Sequence, residues 1–210
     1  MSAREEILER IRAALSDNPG APEIPREYRA ATQLDEEALI ELLMDRLIDY
    51  KAQVSVVKSA DVPARITELL AGAGSYVVPT GLDAGWLTGP TLEHDSRRRV
   101  DSAAAPLTVA HLDDIEAVVT GSAVAVAETG TIILDGSPNQ GRRVITLVPD
   151  HHICIVKAAD ITGILPEALR RIDGTRPLTL ISGPSATSDI ELERVEGVHG
   201  PRKLDVIIAR

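Results

Sequence analysis

The segment Val118–Val156, VVTGSAVAVAETGTIILDGSPNQGRRVITLVPDHHICIV, constrains the fold more than any other part of the chain. Its runs Val118–Thr120, Thr131–Leu134, Val144–Val148 and Ile153–Val156 are short, rich in β-branched residues and bounded by Gly, Pro, Asp or Asn. That pattern predicts buried strands. No helix-length gap separates them, so some neighbours are predicted to pair as antiparallel hairpins. Two polar stretches interrupt the runs, Ala127–Gly130 and Asp135–Arg143. Polar loops at the ends of buried strands are where an α/β protein carries its chemistry.

The flanking sequence alternates helix and strand patterns. Asp35 caps a predicted helix reaching about Tyr50, with Leu39, Leu42, Leu43 and Leu47 on one face. A strand follows at Val54–Val57, then a helix opened by Asp61 and Pro63 and stopped at Gly72–Gly74, then a strand at Tyr76–Val78. Residues 80–110 are turn-rich and irregular. Beyond the central segment come a helix at Pro166–Ile172, a strand at Leu178–Ile181, a short helix at Ser188–Arg194 and a last strand at Leu204–Ile208. This alternation predicts an α/β fold with a mixed, mainly parallel sheet and helices on both faces. Upstream, Ser2 and Glu5 form a capping box before Ile7, Leu8, Ile11 and Leu15, which repeat on one helical face. Pro22 and Pro25 then keep the chain extended. The expected organisation is a helix on a Pro-containing arm over residues 1–33 and a folded domain over 34–210. That helix is expected to bury its stripe, either on its own domain or on a second subunit.

Charge and composition exclude several classes of function. The net charge is −10 and aromatic residues make up 2 %, with no Phe, so nucleic acid is not an expected partner. No apolar run approaches the ~20 residues of a membrane helix. The acidic N-terminus lacks a signal-peptide core, which reads as cytoplasmic. The one cysteine, Cys154, excludes an intramolecular disulfide and a cubane cluster held by four thiolates of this chain. Its apolar strand setting reads as a buried, inert thiol. No Walker loop or GxGxxG fingerprint is present, and no His, Cys, Asp or Glu set has zinc spacing, so neither cofactor nor metal is expected.

Four stretches hold candidate functional residues. Glu128, beside Thr129 in an Ala- and Val-rich run, is either a general acid/base or the partner of Arg142 or Arg143 in a structural ion pair. Asn139, Gln140 and Arg142 offer amides and a guanidinium suited to a carboxylate or phosphate; the plainer reading is a tight hairpin turned by Gly136 and Gly141. The pair Arg142-Arg143 is also basic enough to hold a small anion. Ser182–Asp189, with Ser185 and Thr187, is either an ordinary helix cap at Ser188 and Glu191 or an anion cradle. His151 and His152 are adjacent on a strand, so they face opposite ways, and one is expected to meet a polar pocket while the other packs. His199, between glycines, precedes Arg202 and the last strand. Glu128, Gln140, Arg142 and His152 are expected to line one pocket, with Ser185, Thr187 and His199 on its rim.

Glu128-Thr129-Gly130-Thr131, Gly136–Arg142, Pro149–His152, Ser182–Glu191 and Gly197-Val198-His199-Gly200-Pro201-Arg202 stand in an order and spacing that resemble the LUD-domain family over about residues 34–210. The resemblance implies a three-layer α/β/α sandwich similar to the ribose-phosphate isomerase, glucosamine-phosphate isomerase and CoA-transferase group. It also implies a bacterial role in oxidising lactate to pyruvate beside iron–sulfur partner proteins. With Cys154 alone, this chain matches the component without clusters. The rival expectation is a free-standing isomerase- or acyl/CoA-transferase-like enzyme acting on a small carboxylate or phosphorylated ligand through Glu128. A homo-oligomer is compatible with both.

Overall fold

The computed structural model describes residues 2–16, 22–188, 194–196 and 199–210. Helix α1 spans Ala3–Ala14, and both hydrogen bonds of the Ser2/Glu5 capping box are formed. None of its residues is buried. Helix α2, Glu36–Asp49, starts where Asp35 accepts a hydrogen bond from the Ala38 amide, and it buries Ile40, Leu43 and Leu47. Then follow β1 (Gln53–Val57), α3 (Val62–Leu69), β2 (Tyr76–Pro79), β3 (Arg98–Asp101), α4 (Val109–Asp113) and β4 (Ala117–Gly121). The central segment continues with β5 (Val124–Val126), β6 (Thr131–Leu134) and β7 (His151–Lys157). The remaining elements are β8 (Ile161–Thr162), α5 (Leu165–Leu169), β9 (Thr179–Ile181), β10 (Ala186–Ser188), β11 (Arg194–Glu196) and β12 (Lys203–Ala209).

Six strands form one sheet in the order β1-β12-β7-β4-β2-β3, and every neighbouring pair in it is parallel. Cys154 stands opposite both Thr120 and Val206, which fixes the register at the centre. A second sheet, β8-β5-β6-β9, carries the antiparallel pairs, β5 with β6 and β6 with β9. The fold is therefore α/β as expected, with the mixed character in a separate sheet. Period-two alternation sorts the core. Ile153, Ile155 and Ile207 face α3 and Trp86. Cys154, Val156, Val206 and Ile208 face the opposite way, onto α2 and the inner side of the second sheet. Helix α5 closes that sheet's outer side, Ala168 packing on Val124, Val126 and Ile133.

Three local expectations are corrected. Val144–Val148 is not a strand: a 3-10 turn covers Arg143–Thr146, and Ile145 is buried against Val77 and Val118. A short apolar run fits a buried helical turn as well as a strand, and here Arg142 and its neighbours set the turn. The Ser188–Arg194 helix fails at both ends, since Ser188 closes β10 and Arg194 opens β11, its antiparallel partner; residues 189–193 lie outside the described residues. Nor is Asp135–Arg143 a hairpin loop. It carries the chain from the second sheet back to the 3-10 turn before the main sheet, with Gly136 and Gly141 both at φ +69°.

The arm is not free of the domain. The Glu167 carboxylate accepts the Thr32 amide at 2.8 Å as well as the amides of Gly163 and Ile164. Arg170 donates to the Ala30 carbonyl at 2.6 Å, and Arg29 pairs with Glu128 at 2.7 Å. Thr32 sits so close over Gly163 that a Cβ there would meet its methyl at 2.3 Å. Among the described residues, no helix is long and apolar enough to cross a membrane.

Candidate functional site

The loop Asp135–Arg143 is clamped onto the carboxyl ends of β2, β3 and β4, the side of a parallel sheet where ligands bind. Backbone approaches are close enough to require glycine. A Cβ on Gly81 would meet Pro138 at 2.4 Å, and one on Gly141 would meet Pro79 at 2.7 Å. Two ion pairs hold the loop. Arg142 grips Asp101 through two nitrogens, Nε at 2.8 Å, and also donates to the Leu107 carbonyl. Arg176 donates to Asp135 at 2.8 Å. Burial works to raise both carboxyls. For Asp101 the hydrogen bonds from Arg142 and the Leu107 amide, with the guanidinium charge, outweigh it and leave the pKa below the usual range. Asp135 is lowered too, by Ser137, Arg176 and Gln140.

Gln140 is 2 % exposed. Its Oε1 accepts from the backbone amides of Asp135 at 2.6 Å and Gly136 at 3.1 Å, which fixes the rotamer and aims Nε2. That nitrogen is buried without a hydrogen-bond partner among the described residues. The Asp135 carboxylate is near enough for this nitrogen to help lower its pKa, but no hydrogen bond of normal geometry joins the two. A buried amide donor left unpaired costs ~1–3 kcal/mol, so it marks a place for an acceptor. Gln140 lines a cavity of about 580 Å³ together with Pro79, Gly81, Leu134, Pro138 and Arg143.

A second cavity of about 300 Å³ adjoins the first, and Arg143, Thr146 and Thr179 line both. His152 lines it from the sheet, 1 % exposed, with Nε2 2.8 Å from the Thr120 hydroxyl; Nδ1 has no partner among the described residues. Burial, then the neighbouring His151, push its pKa down to about 3, so this imidazole is neutral at ordinary pH. His151 turns the other way, onto buried Asp205 at 2.7 Å. One histidine facing a pocket and one packed is the arrangement the strand period predicts. Ser185 lines the same cavity, its hydroxyl accepting from the His199 amide at 3.1 Å, and His199 stands at the edge.

The other candidates lie elsewhere. Glu128 is exposed and lines neither cavity, its carboxylate held by Arg29 rather than by Arg142 or Arg143. Thr129 starts a hydroxyl chain through Thr131 to Ser182, at 2.8 and 2.9 Å. Asn139 lies over Gly121, its carbonyl accepting that residue's amide. Arg202 pairs with Asp150 on the surface. The side chain of Thr187 lies outside the described residues. Thus Gln140 and Arg142 come together in one cavity, His152, Ser185 and His199 in the next, and Glu128 in neither. Arg143 is the residue that joins them. It is exposed, and its guanidinium has no ion-pair or hydrogen-bond partner among the described residues. The sequence marked it only as half of a basic pair and as a candidate partner for Glu128. Asp101 and Asp205 were missed; a carboxylate ending or interrupting a strand was their one signal. Cys154 is buried, and burial raises its thiol to about 12. Among the described residues, no three His, Cys, Asp or Glu side chains converge to hold a metal.

Known proteins resemble this chain over nearly all of its length. A lactate utilization protein C of Deinococcus radiodurans is 42 % identical over 211 residues, covering 98 % of this chain and 95 % of that protein. A lactate utilization protein C of Shouchella clausii is 31 % identical, covering 82 % of this chain and 70 % of its own. A crystal structure of a DUF162 family protein from Deinococcus radiodurans superposes with a TM-score of 0.71 at 36 % identity, covering 84 % of this chain and 99 % of that one. The model of the LUD domain matches residues 40–209, so the chain belongs to the LUD domain family.

Proposed function

We propose that this chain serves lactate utilization as a cytoplasmic component without a redox centre of its own, acting beside iron–sulfur partner proteins and binding a carboxylate or phosphorylated small molecule in the paired cavities. The names of its relatives support the process. The observation that carries the binding site is Gln140 Nε2, buried without a hydrogen-bond partner among the described residues in a cavity wall that Arg143 also lines. The charged side chains lining the larger cavity are Asp101, Arg142 and Arg143, one negative and two positive, a local net of +1 in a chain of net −10. Such a cavity favours an anion. Cys154 is the sole cysteine, so electrons would pass through partners rather than through thiolate-held clusters of this chain. The test is to remove the chain from its native cell and follow oxidation of lactate, restoring it with wild type and with Arg143→Ala. Loss of lactate oxidation, rescued by wild type and poorly by the variant, is the expected result. Unchanged oxidation without the chain would end the reading. Co-purification of iron–sulfur proteins with the tagged chain tests the partners separately.

A further inference from the structure

The two cavities carry matching features. Each has in its wall an almost wholly buried side chain that keeps one nitrogen without a hydrogen-bond partner among the described residues, Gln140 in the larger and His152 in the smaller. Arg143 lines both, as do Thr146 and Thr179. One cation is neutralised by one anion, so two separate charged ligands would compete for it. Size points the same way. At ~30 Å³ of liquid volume per water, the larger cavity alone holds roughly twenty waters' worth of space. Lactate has six non-hydrogen atoms and would leave most of it empty. Apolar side chains also line both lobes, with Pro79, Leu134, Pro138 and Pro177 in one and Leu147 and Leu204 in the other.

We infer that the two cavities are lobes of one site for an elongated organic anion, its carboxylate or phosphoryl group on Arg143, its body reaching hydrogen-bond partners at Gln140 and His152, and that lactate itself is too small to be its occupant. The inference rests on these cavities being the ligand site and is independent of the role in lactate utilization. The acid group sits where both lobes meet. Gln140 Nε2 donates to an oxygen of the body in the larger lobe, and His152, neutral, exchanges a hydrogen bond in the smaller one.

Titration calorimetry on the full chain tests this with two ladders of probes. One runs from lactate to 2-hydroxyoctanoate, the other from inorganic phosphate through methyl to octyl phosphate. In the ladder with the right head group, Kd is expected to fall about fourfold for each methylene that becomes buried, until the lobes fill. Stoichiometry should be one per chain. Arg143→Ala, which removes no side-chain hydrogen bond or ion pair among the described residues and should keep its melting temperature, is expected to abolish binding. Gln140→Leu should weaken the long members more than the short ones. Lactate binding as tightly as its longer homologues, two independent sites per chain, binding unchanged in Arg143→Ala, or no binding in either ladder would each overturn the inference. A lactate-oxidation defect on removal of the chain would stand through any of those results, so the two readings fail separately.

Discussion

Arg142→Ala should be costly in a way that depends on pH. Asp101 is 2 % exposed at the end of β3, and Arg142 supplies two of its hydrogen bonds and its only countercharge among the described residues. Removing one partner of a buried ion pair costs ~3–5 kcal/mol, because the remaining charge is left without compensation. Two features reduce that here. The Arg142 side chain is 38 % exposed, so water enters part of the space it vacates, and the Leu107 amide at 3.0 Å still donates to the carboxylate. We expect about 2 kcal/mol at pH 7, or roughly 4–8 °C in melting temperature for a chain of this size.

The sign of the pH dependence follows from linkage. In the wild type the Asp101 carboxyl is held below its unfolded value of ~3.9, so its stabilising contribution is full above that value and fades as pH falls through the depressed one. In the variant, burial acts without the guanidinium and the carboxyl takes up its proton at higher pH. The stability gap between the two proteins is therefore largest near neutrality and narrows toward pH 4.5. Urea unfolding of both proteins at pH 7 and pH 4.5 reads this directly. A gap under about 0.5 kcal/mol at pH 7, or one that stays constant to pH 4.5, would refute the argument that Arg142 is there to hold Asp101 and the loop.

Three other outcomes are expected. His152 has a folded pKa of about 3 against ~6.5 unfolded, so it lowers stability by roughly 1.4 kcal/mol per pH unit below about 6, and His152→Gln should flatten the acid limb of the stability profile; an unchanged slope would show that protons reach the imidazole in the folded state. Gly163→Val places side-chain atoms where Thr32 already sits, 2.3 Å from an ideal Cβ, so it should lift the arm and speed limited proteolysis within residues 22–34 severalfold, whereas a protected arm would mean the contact is not needed to hold it. Deleting residues 1–20 removes a helix without a buried residue, so it should shift global stability by less than about 0.5 kcal/mol while weakening partner binding or self-association; a large loss of stability with all interactions kept would assign the helix to its own core.

Local signals were legible in the sequence where local physics sets the structure. The Asp35 cap, the Ser2/Glu5 box and the run at Thr131–Leu134 lie where periodicity and capping predict them. Strand β3 was invisible because Arg98-Arg99-Val100-Asp101 has no apolar run: it is an edge strand, where charged side chains are tolerated. The failure at Val144–Val148 has a similar cause, since apolarity reports burial and not the backbone that achieves it. Charge partners were the least legible feature. Glu128 pairs with Arg29, 99 residues away, because the arm lies along the domain held by Glu167 and Arg170, and Arg142 pairs with Asp101, 41 residues away, because the loop crosses the ends of β2 and β3. Nothing nearby in the sequence names either partner.

The Asp135–Arg143 loop shows why its two sequence readings did not compete. The glycines at 136 and 141 do carry left-handed backbone, and they shape the loop as the structural reading requires. The amide of Gln140 is divided between the two roles. Its oxygen closes the turn by accepting two backbone amides, and its nitrogen is left buried in the cavity wall with no acceptor among the described residues. A hydrophobic residue at 140 would strand the amides of Asp135 and Gly136, and a carboxylate would put negative charge beside Asp135 and supply no donor. Only an amide satisfies the turn and still offers a neutral donor next to Arg143. In the proposed site the residue that makes the loop rigid would thereby also meet the ligand, and rigidity of that kind suits binding, because the donor's orientation is settled before the ligand arrives.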